Sequence, residues 1–281
     1  MILPINISTK FKNITGLKIK SAYQIPYFLG FDKYIINDAY VIRTPSKIKD
    51  PIINFKNEQI VFNLISELNI SEKILYFSKI NGFKLSRFVH NSKRKTNFTI
   101  NDITRFTQVL KKLHNFEKIP DFSFNFINTI EVLKKNIRKQ FYLDEKYEKI
   151  VINKANIQSQ EDPIVFSHND LRNENILFKN DQVKLVGFNF SCKNSLFFDI
   201  ASFINLNELD EKQKMFFLKK YFGNKFRKKM LKIIDKYIAY QNIFYYYHNT
   251  FLFLNIGDIF FLDQSNYFKK KIQFSIESDN Y

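Results

Sequence analysis

Short apolar alternations fill the first third of the chain, and helical periodicity fills most of the rest. Residues Leu17 to Ile25 and Lys33 to Arg43 alternate apolar and polar side chains and are separated by Pro26, Gly30 and Asp32. That is the pattern of two strands ended by turns. From Ile53 to Leu68 the apolar positions Phe55, Ile60, Val61, Leu64, Ile65 and Leu68 recur at helical spacing, with Asn69 suited to the helix end. Lys73 to Phe77 and Phe83 to Val89 flank an Asn81-Gly82 pair and predict a hairpin. These elements make a small mixed sheet with one helix.

Around His90 to Asn97 the chain turns polar and basic, and beyond it Asp102 to Phe116 and Ile127 to Tyr142 carry helical patterns. A boundary here divides the chain into residues 1–92 and 93–281. Inside the second part lies a short β insertion, Ile164 to Phe166, Ile176 to Phe178 and Val183 to Phe188, with Lys179-Asn180-Asp181 as a turn. Helical patterns resume from Phe198 to Tyr281, broken near Gly223 and Gly257. No internal repeat or low-complexity linker is present. The expected class is α+β: a small N-terminal β-rich lobe followed by a larger, mostly helical lobe.

Composition narrows the function classes. With 281 residues, 45% of them hydrophobic and 33 of them Phe, the chain can bury a sizeable core, which excludes a disordered chain. Its 44 Lys and Arg against 27 acids give a net charge of +17. The excess is scattered in short clusters such as Lys93-Arg94-Lys95 and Lys269-Lys270-Lys271, with no long basic arm, so it predicts solvated basic faces and no specific nucleic-acid partner. The single Cys192 excludes an internal disulfide framework, and the four dispersed histidines offer no metal-ligand spacing. The start, MILPINISTKFKN, lacks the order of a signal peptide, which with the lone cysteine predicts a cytoplasmic protein. Residues 237–257 carry no charged side chain, but Gln241, Asn242, His248, Asn249 and Asn255 interrupt them, so a buried helix is expected there and no membrane span.

The chemistry concentrates in SHNDLRNENILF, residues 167–178. His168, Asp170 and Asn175 lie on a segment that leaves one apolar strand and enters another, a loop held at both ends. Such a loop can present Asp170 to a substrate hydroxyl and Asn175 to a metal on ATP, two tasks of phosphoryl transfer. The spacing H-x-D-x-x-x-x-N matches a kinase catalytic loop, with Asn169 where protein kinases carry Arg.

A strand, VKLVGF, and the segment SLFFDIASF follow directly. Here the sequence resembles the choline/ethanolamine kinase and aminoglycoside phosphotransferase superfamily, from about Thr15 to Lys271 and most specifically over residues 165–206. The resemblance implies a protein-kinase-like two-lobed fold, ATP and Mg²⁺ as cofactors and a small-molecule alcohol such as choline as acceptor. It implies further that Asp170 is the catalytic carboxylate, that Asn175 binds the metal, that His168 is structural and that Asp199 anchors the loop. In the small lobe it places Arg43 on the ATP phosphates, paired with Glu58, and Gly16 in the phosphate-covering segment ITGLKIKSAYQI. In the helical lobe it makes Tyr246, Tyr247 and Phe251 candidates for the walls of an acceptor site, among aromatic residues that include Tyr245 and Phe253.

One departure bears on activity. The family expects a second metal carboxylate in a run resembling L-I-D-F-E, and this chain has Leu185-Val186-Gly187-Phe188-Asn189. Asn175, with Asn189 as a weaker oxygen donor, is left to hold Mg²⁺. Two readings stand open at this point: a phosphotransferase acting on a small alcohol, and a catalytically degenerate relative that binds nucleotide or a protein partner.

Overall fold

The computed structural model describes residues 3–25, 30–45, 47–123, 125–145, 148–149 and 162–277. Pro26 and residues 278–281, which carry the first expected turn and the end of the last expected helix, lie outside the described residues. A helix, α1 (Ile5–Thr15), precedes the small sheet and puts Ile7 and Phe11, one turn apart, on its buried face. Strands β1 (Ala22–Ile25), β2 (Lys33–Ile36), β3 (Tyr40–Arg43), β4 (Ile74–Phe77) and β5 (Lys84–Arg87) form an antiparallel sheet in the order β1-β2-β3-β5-β4. Phe11 and Ile7 pack with Tyr34, Ile36, Ile42, Phe83 and Leu85 to form the core of this lobe.

Two expectations are corrected here. Residues 17–21 are not strand, and Lys33 to Arg43 is not one strand but a hairpin, folded at Asn37 and Asp38, both with φ near +50° (51° and 53°). Asn and Asp tolerate the left-handed conformation that this tight turn, residues 37–39 between the paired Ile36 and Tyr40, requires. Helix α1 is not among the sequence expectations, because its polar Asn, Ser, Thr and Lys positions dilute a short stripe in which only Ile7 and Phe11 are fully buried.

Helix α2 (Phe55–Ser66) begins at Asn54, whose side chain accepts from the amides of Lys56 and Asn57. It joins the lobes: Val61, Phe62 and Ile65 pack into the same core as Leu185 and Phe188 of the second lobe. After the short strand β6 (Ser92–Lys93) comes α3 (Ile100–His114), started by a reciprocal Thr99–Asp102 capping box. Helix α4 (Phe126–Lys135) ends at Lys135, short of the expected Tyr142, and a 3₁₀ turn follows at 139–141. The β insertion comprises β7 (Ile164–Ser167), β8 (Ile176–Lys179), β9 (Gln182–Leu185) and β10 (Cys192–Ser195), with β6-β8-β9 in one sheet and β10-β7 in another.

Helices α5 (Leu196–Leu206), α6 (Glu211–Phe222), α7 (Lys229–Ile256) and α8 (Ile259–Glu277) complete the chain, with the breaks at Gly223 and Gly257. No helix of the described residues is long and apolar enough to cross a membrane. The polar positions of α7 explain why it is buried in protein instead: Gln241 donates to the Phe198 carbonyl and Asn242 accepts from Asn205. With α4, α5 and α8 this helix forms a second core rich in Phe and Tyr.

Candidate active site

Residues 168–175 run from β7 to β8, and their shape is held from outside the loop. Asp199, in the first turn of α5, accepts the backbone amide of His168 on Oδ2 and that of Asn169 on Oδ1, each at 2.7 Å. His114 reaches the same Oδ2 at 3.0 Å, and its other ring nitrogen meets the Tyr221 hydroxyl at 2.6 Å. Burial raises the Asp199 carboxyl, but the hydrogen bonds from His114 and from the His168 amide outweigh it and hold the group below its ordinary range. His168 is fully buried; burial lowers its pKa and keeps it neutral. Its Nδ1 accepts from the Asp170 amide at 3.2 Å and its Nε2–H donates to the Val186 carbonyl at 3.0 Å.

Asn169 has φ of 66°, a left-handed turn. Its amide is used in full: Oδ1 accepts from Ser167 and Asn194, and Nδ2 donates to the Phe190 carbonyl. An Asn therefore suits the position where a kinase Arg would be expected.

The turn delivers Asp170 to the base of an open cleft of about 730 Å³ between the lobes. Its Oδ1 accepts from Arg172 Nε at 2.7 Å and from the Tyr245 hydroxyl at 2.9 Å, while Oδ2 accepts from Asn175 Nδ2 at 3.0 Å. Asn175 Nδ2 also bonds the Asp170 backbone carbonyl at 2.9 Å. The Arg172 guanidinium lies 5.0 Å from the centre of the Tyr245 ring. Burial opposes its charge, and Asp170, Tyr245 and Glu174 overcome that and keep it firmly protonated. Burial first, and then the Asp170 charge, raise the Tyr245 phenol well above its ordinary value, so it stays a donor.

Arg43 and Glu58 do meet. Their ends form a two-pronged pair at 2.7 and 2.9 Å, and Arg43 Nε–H donates a hydrogen bond to the Gly82 carbonyl. The pair is buried in the small lobe against Phe31, however, and is not on the cleft wall; Lys33, directly opposite Arg43 on β2, is. Gly16 stands away from the cleft as the left-handed cap of α1, with φ of 74°. It is a glycine because the helix end needs that backbone, and the expected phosphate-covering role has no geometric support there.

Tyr246, Tyr247 and Phe251 also turn away. Tyr246 donates to the Phe141 carbonyl, Tyr247 accepts from the Leu143 amide, and Phe251 is buried in the aromatic core. The face of α7 that lines the cleft is Tyr245, His248, Asn249 and Leu252, a helical i, i+3, i+4, i+7 series, joined by Phe260 and Phe261 of α8. That series was available in the sequence once the helix phase was set by Asp170. Lys33, Arg94 and Arg172 had no such signal.

Residues 27–249 match the family model for choline/ethanolamine kinase. The chain belongs to the choline/ethanolamine kinase family. It is 26% identical over 211 residues to Protein LicA of Haemophilus influenzae, a stretch covering 70% of this chain and 61% of that protein, so it spans less than two thirds of that relative. In fold it is similar to choline kinase LicA from Streptococcus pneumoniae, with a TM-score of 0.82 at 16% identity, covering 95% of this chain and 98% of the other. The aminoglycoside phosphotransferase APH(2")-IIa, in its ternary complex with streptomycin and ATP, shares the fold with a TM-score of 0.66 at 17% identity over 87% and 90% of the two chains.

The Mg²⁺ that this fold implies meets a poor donor set. Asp170 and Glu174 are the carboxylates on this wall with Asn175 and Asn189, and both Asp170 oxygens already accept from Arg172, Tyr245 and Asn175. Gly187 offers nothing, and no group of three His, Cys, Asp or Glu side chains among the described residues could hold a metal. A Mg²⁺ site ordinarily rests on one or two free carboxylates beside the phosphates. The residues present do not fit a protein-held metal.

Proposed function

We propose that this chain transfers the γ-phosphoryl group of ATP to the hydroxyl of a small alcohol, choline or a relative. The observation that carries the reading is the Asp170 carboxylate at the base of the interlobe cleft, aimed by three donors from Arg172, Tyr245 and Asn175. Oδ2 takes a single bond and keeps lone-pair capacity for an acceptor hydroxyl. In the transfer the acceptor oxygen forms a bond to the γ-phosphorus as the bond to the bridging oxygen breaks; ADP departs, and the hydroxyl proton passes to Asp170. Holding the hydroxyl in line supplies most of what the loop contributes.

In this reading the phosphates meet Lys33, Arg94 and Arg172, and the acceptor meets Phe260 and Phe261, whose rings suit an organic cation. ATP turnover across choline, ethanolamine, sugars and aminoglycosides tests the reading. Acceptor-dependent ADP release that disappears in Asp170→Asn is the expected result. A second reading, nucleotide binding without turnover, draws on Gly187; ATP binding with no acceptor-dependent turnover would establish it.

A further inference from the structure

Three observations about the cleft belong together. The first is that the position of the expected second carboxylate is closed as well as vacant. Gly187 has φ of 81°, and a Cβ built there would collide with Asn175 Oδ1 and stand 2.8 Å from its Nδ2. The Asn175 amide fills the space a metal-binding side chain would need, and its bonds to Asp170 keep it there.

The second is the balance of charge on the cleft wall, which carries three cations, Lys33, Arg94 and Arg172, against two carboxylates, Asp170 and Glu174. Nucleotide polyphosphate carries several negative charges, which must be met by metal or by side chains.

The third is a row of cations across the small sheet. Lys33, Arg43 and Lys84 are cross-strand partners on β2, β3 and β5. Glu58 pairs with Arg43, and Glu72 with Lys84 at 2.6 Å, so the two inner cations are neutralised where they stand. Lys33, at the cleft end of the row, has no carboxylate or hydrogen-bond partner for its ammonium among the described residues. Arg94 and Arg172 face the cleft from the second lobe. Arg94 gives its Nε–H to the Glu174 carbonyl, and Arg172 gives its Nε–H to Asp170, which leaves the outer nitrogens of both directed away from those bonds.

We propose that Lys33, Arg94 and Arg172 meet the phosphate charge of the nucleotide in place of a metal held by protein carboxylates, so that nucleotide binds this cleft without divalent metal. The inference rests on the reading of the cleft as a nucleotide site. Guanidinium groups suit the task because their planar forks match phosphate oxygens in pairs, and the Asp170 bond holds one of them in orientation before ligand arrives.

The test is calorimetric titration of the full chain with ATP, once in excess EDTA and once in Mg²⁺, for wild type, Lys33→Met and Arg94→Met. Arg94 is exposed, so its replacement leaves folding untouched even if Lys33→Met does not. The wild-type dissociation constant in EDTA is expected within a few-fold of that in Mg²⁺. Each substitution is expected to weaken metal-free binding by about tenfold, the scale of one lost charge-assisted contact. Binding in Mg²⁺ that vanishes in EDTA would overturn the proposal and leave the phosphotransferase reading standing. Unchanged metal-free binding in Arg94→Met and in a folded Lys33→Met would also overturn it. No ATP binding under either condition would remove both, and acceptor-dependent turnover in the same preparations reports on the phosphotransferase reading separately.

Discussion

Restoring the expected carboxylate by Gly187→Asp should damage this protein, and the structure lets the damage be sized. A non-glycine residue in the left-handed conformation that Gly187 adopts costs about 1 kcal/mol, taking the low end because Asp tolerates it best. The new Cβ would collide with Asn175, whose amide must then swing away from Asp170. Losing a hydrogen bond to a buried carboxylate adds about 2 kcal/mol, for a total of about 3 kcal/mol. A metal bound at a hundredfold excess over its dissociation constant would return about 2.7 kcal/mol, nearly the whole loss, so rescue would be plain in the melt; none is expected, because the displaced Asn175 no longer stands beside Asp170 to complete a site. Urea denaturation of wild type, Gly187→Ala and Gly187→Asp, each with EDTA and with Mg²⁺ and ATP, measures this directly. Both variants should lose stability by similar amounts, because the strain begins at Cβ. A Gly187→Asp protein as stable as wild type, binding ATP more tightly in Mg²⁺ than Gly187→Ala does, would refute the reasoning.

Three further outcomes are expected. Asp199→Ala should destabilise the chain by about 3 kcal/mol in denaturant melts, since two loop amides and His114 lose a buried acceptor together; a loss under 1 kcal/mol would mean that the loop is held by other bonds. Arg43→Ala should act first on stability, by about 3 kcal/mol, because it leaves Glu58 buried and unpaired. Weakened ATP affinity with unchanged stability would instead return Arg43 to the phosphates. Burial, reinforced by Lys84, Arg43 and Arg94 and opposed by Glu72, lowers the Lys33 ammonium to about 7. A phosphate ligand favours the charged form, so ATP affinity should fall as pH rises above 7 and binding at pH 8 should take up protons. Calorimetry in two buffers of different ionisation enthalpy detects that uptake, and its absence would remove Lys33 from the ligand.

Some of this was legible in the linear chain because it depends on neighbours in sequence. The strand-loop-strand context of Asp170 and Asn175, the α2 periodicity, the Asn81-Gly82 hairpin and the helix breaks at Gly223 and Gly257 all follow from spacing and turn chemistry within a few residues. The family resemblance likewise rests on one contiguous run, residues 165–206.

Tertiary structure decided what spacing could not reach. Which face of α7 meets the cleft depends on how α8 and the catalytic loop pack against it, so Tyr245 reaches Asp170 across 75 positions of sequence while Tyr246 and Tyr247 turn away. The pairing of Arg43 with Glu58 was legible from residue types, but its burial follows from Phe31 and Gly82 closing over it. Lys33 acquires its role only when sheet register sets it beside Arg43 at the edge of the cleft. Gly187 showed in sequence only as a missing acid. Folding turned it into a position with a positive φ where Asn175, twelve positions away and brought into contact by the pairing of β8 with β9, occupies the space a side chain would need.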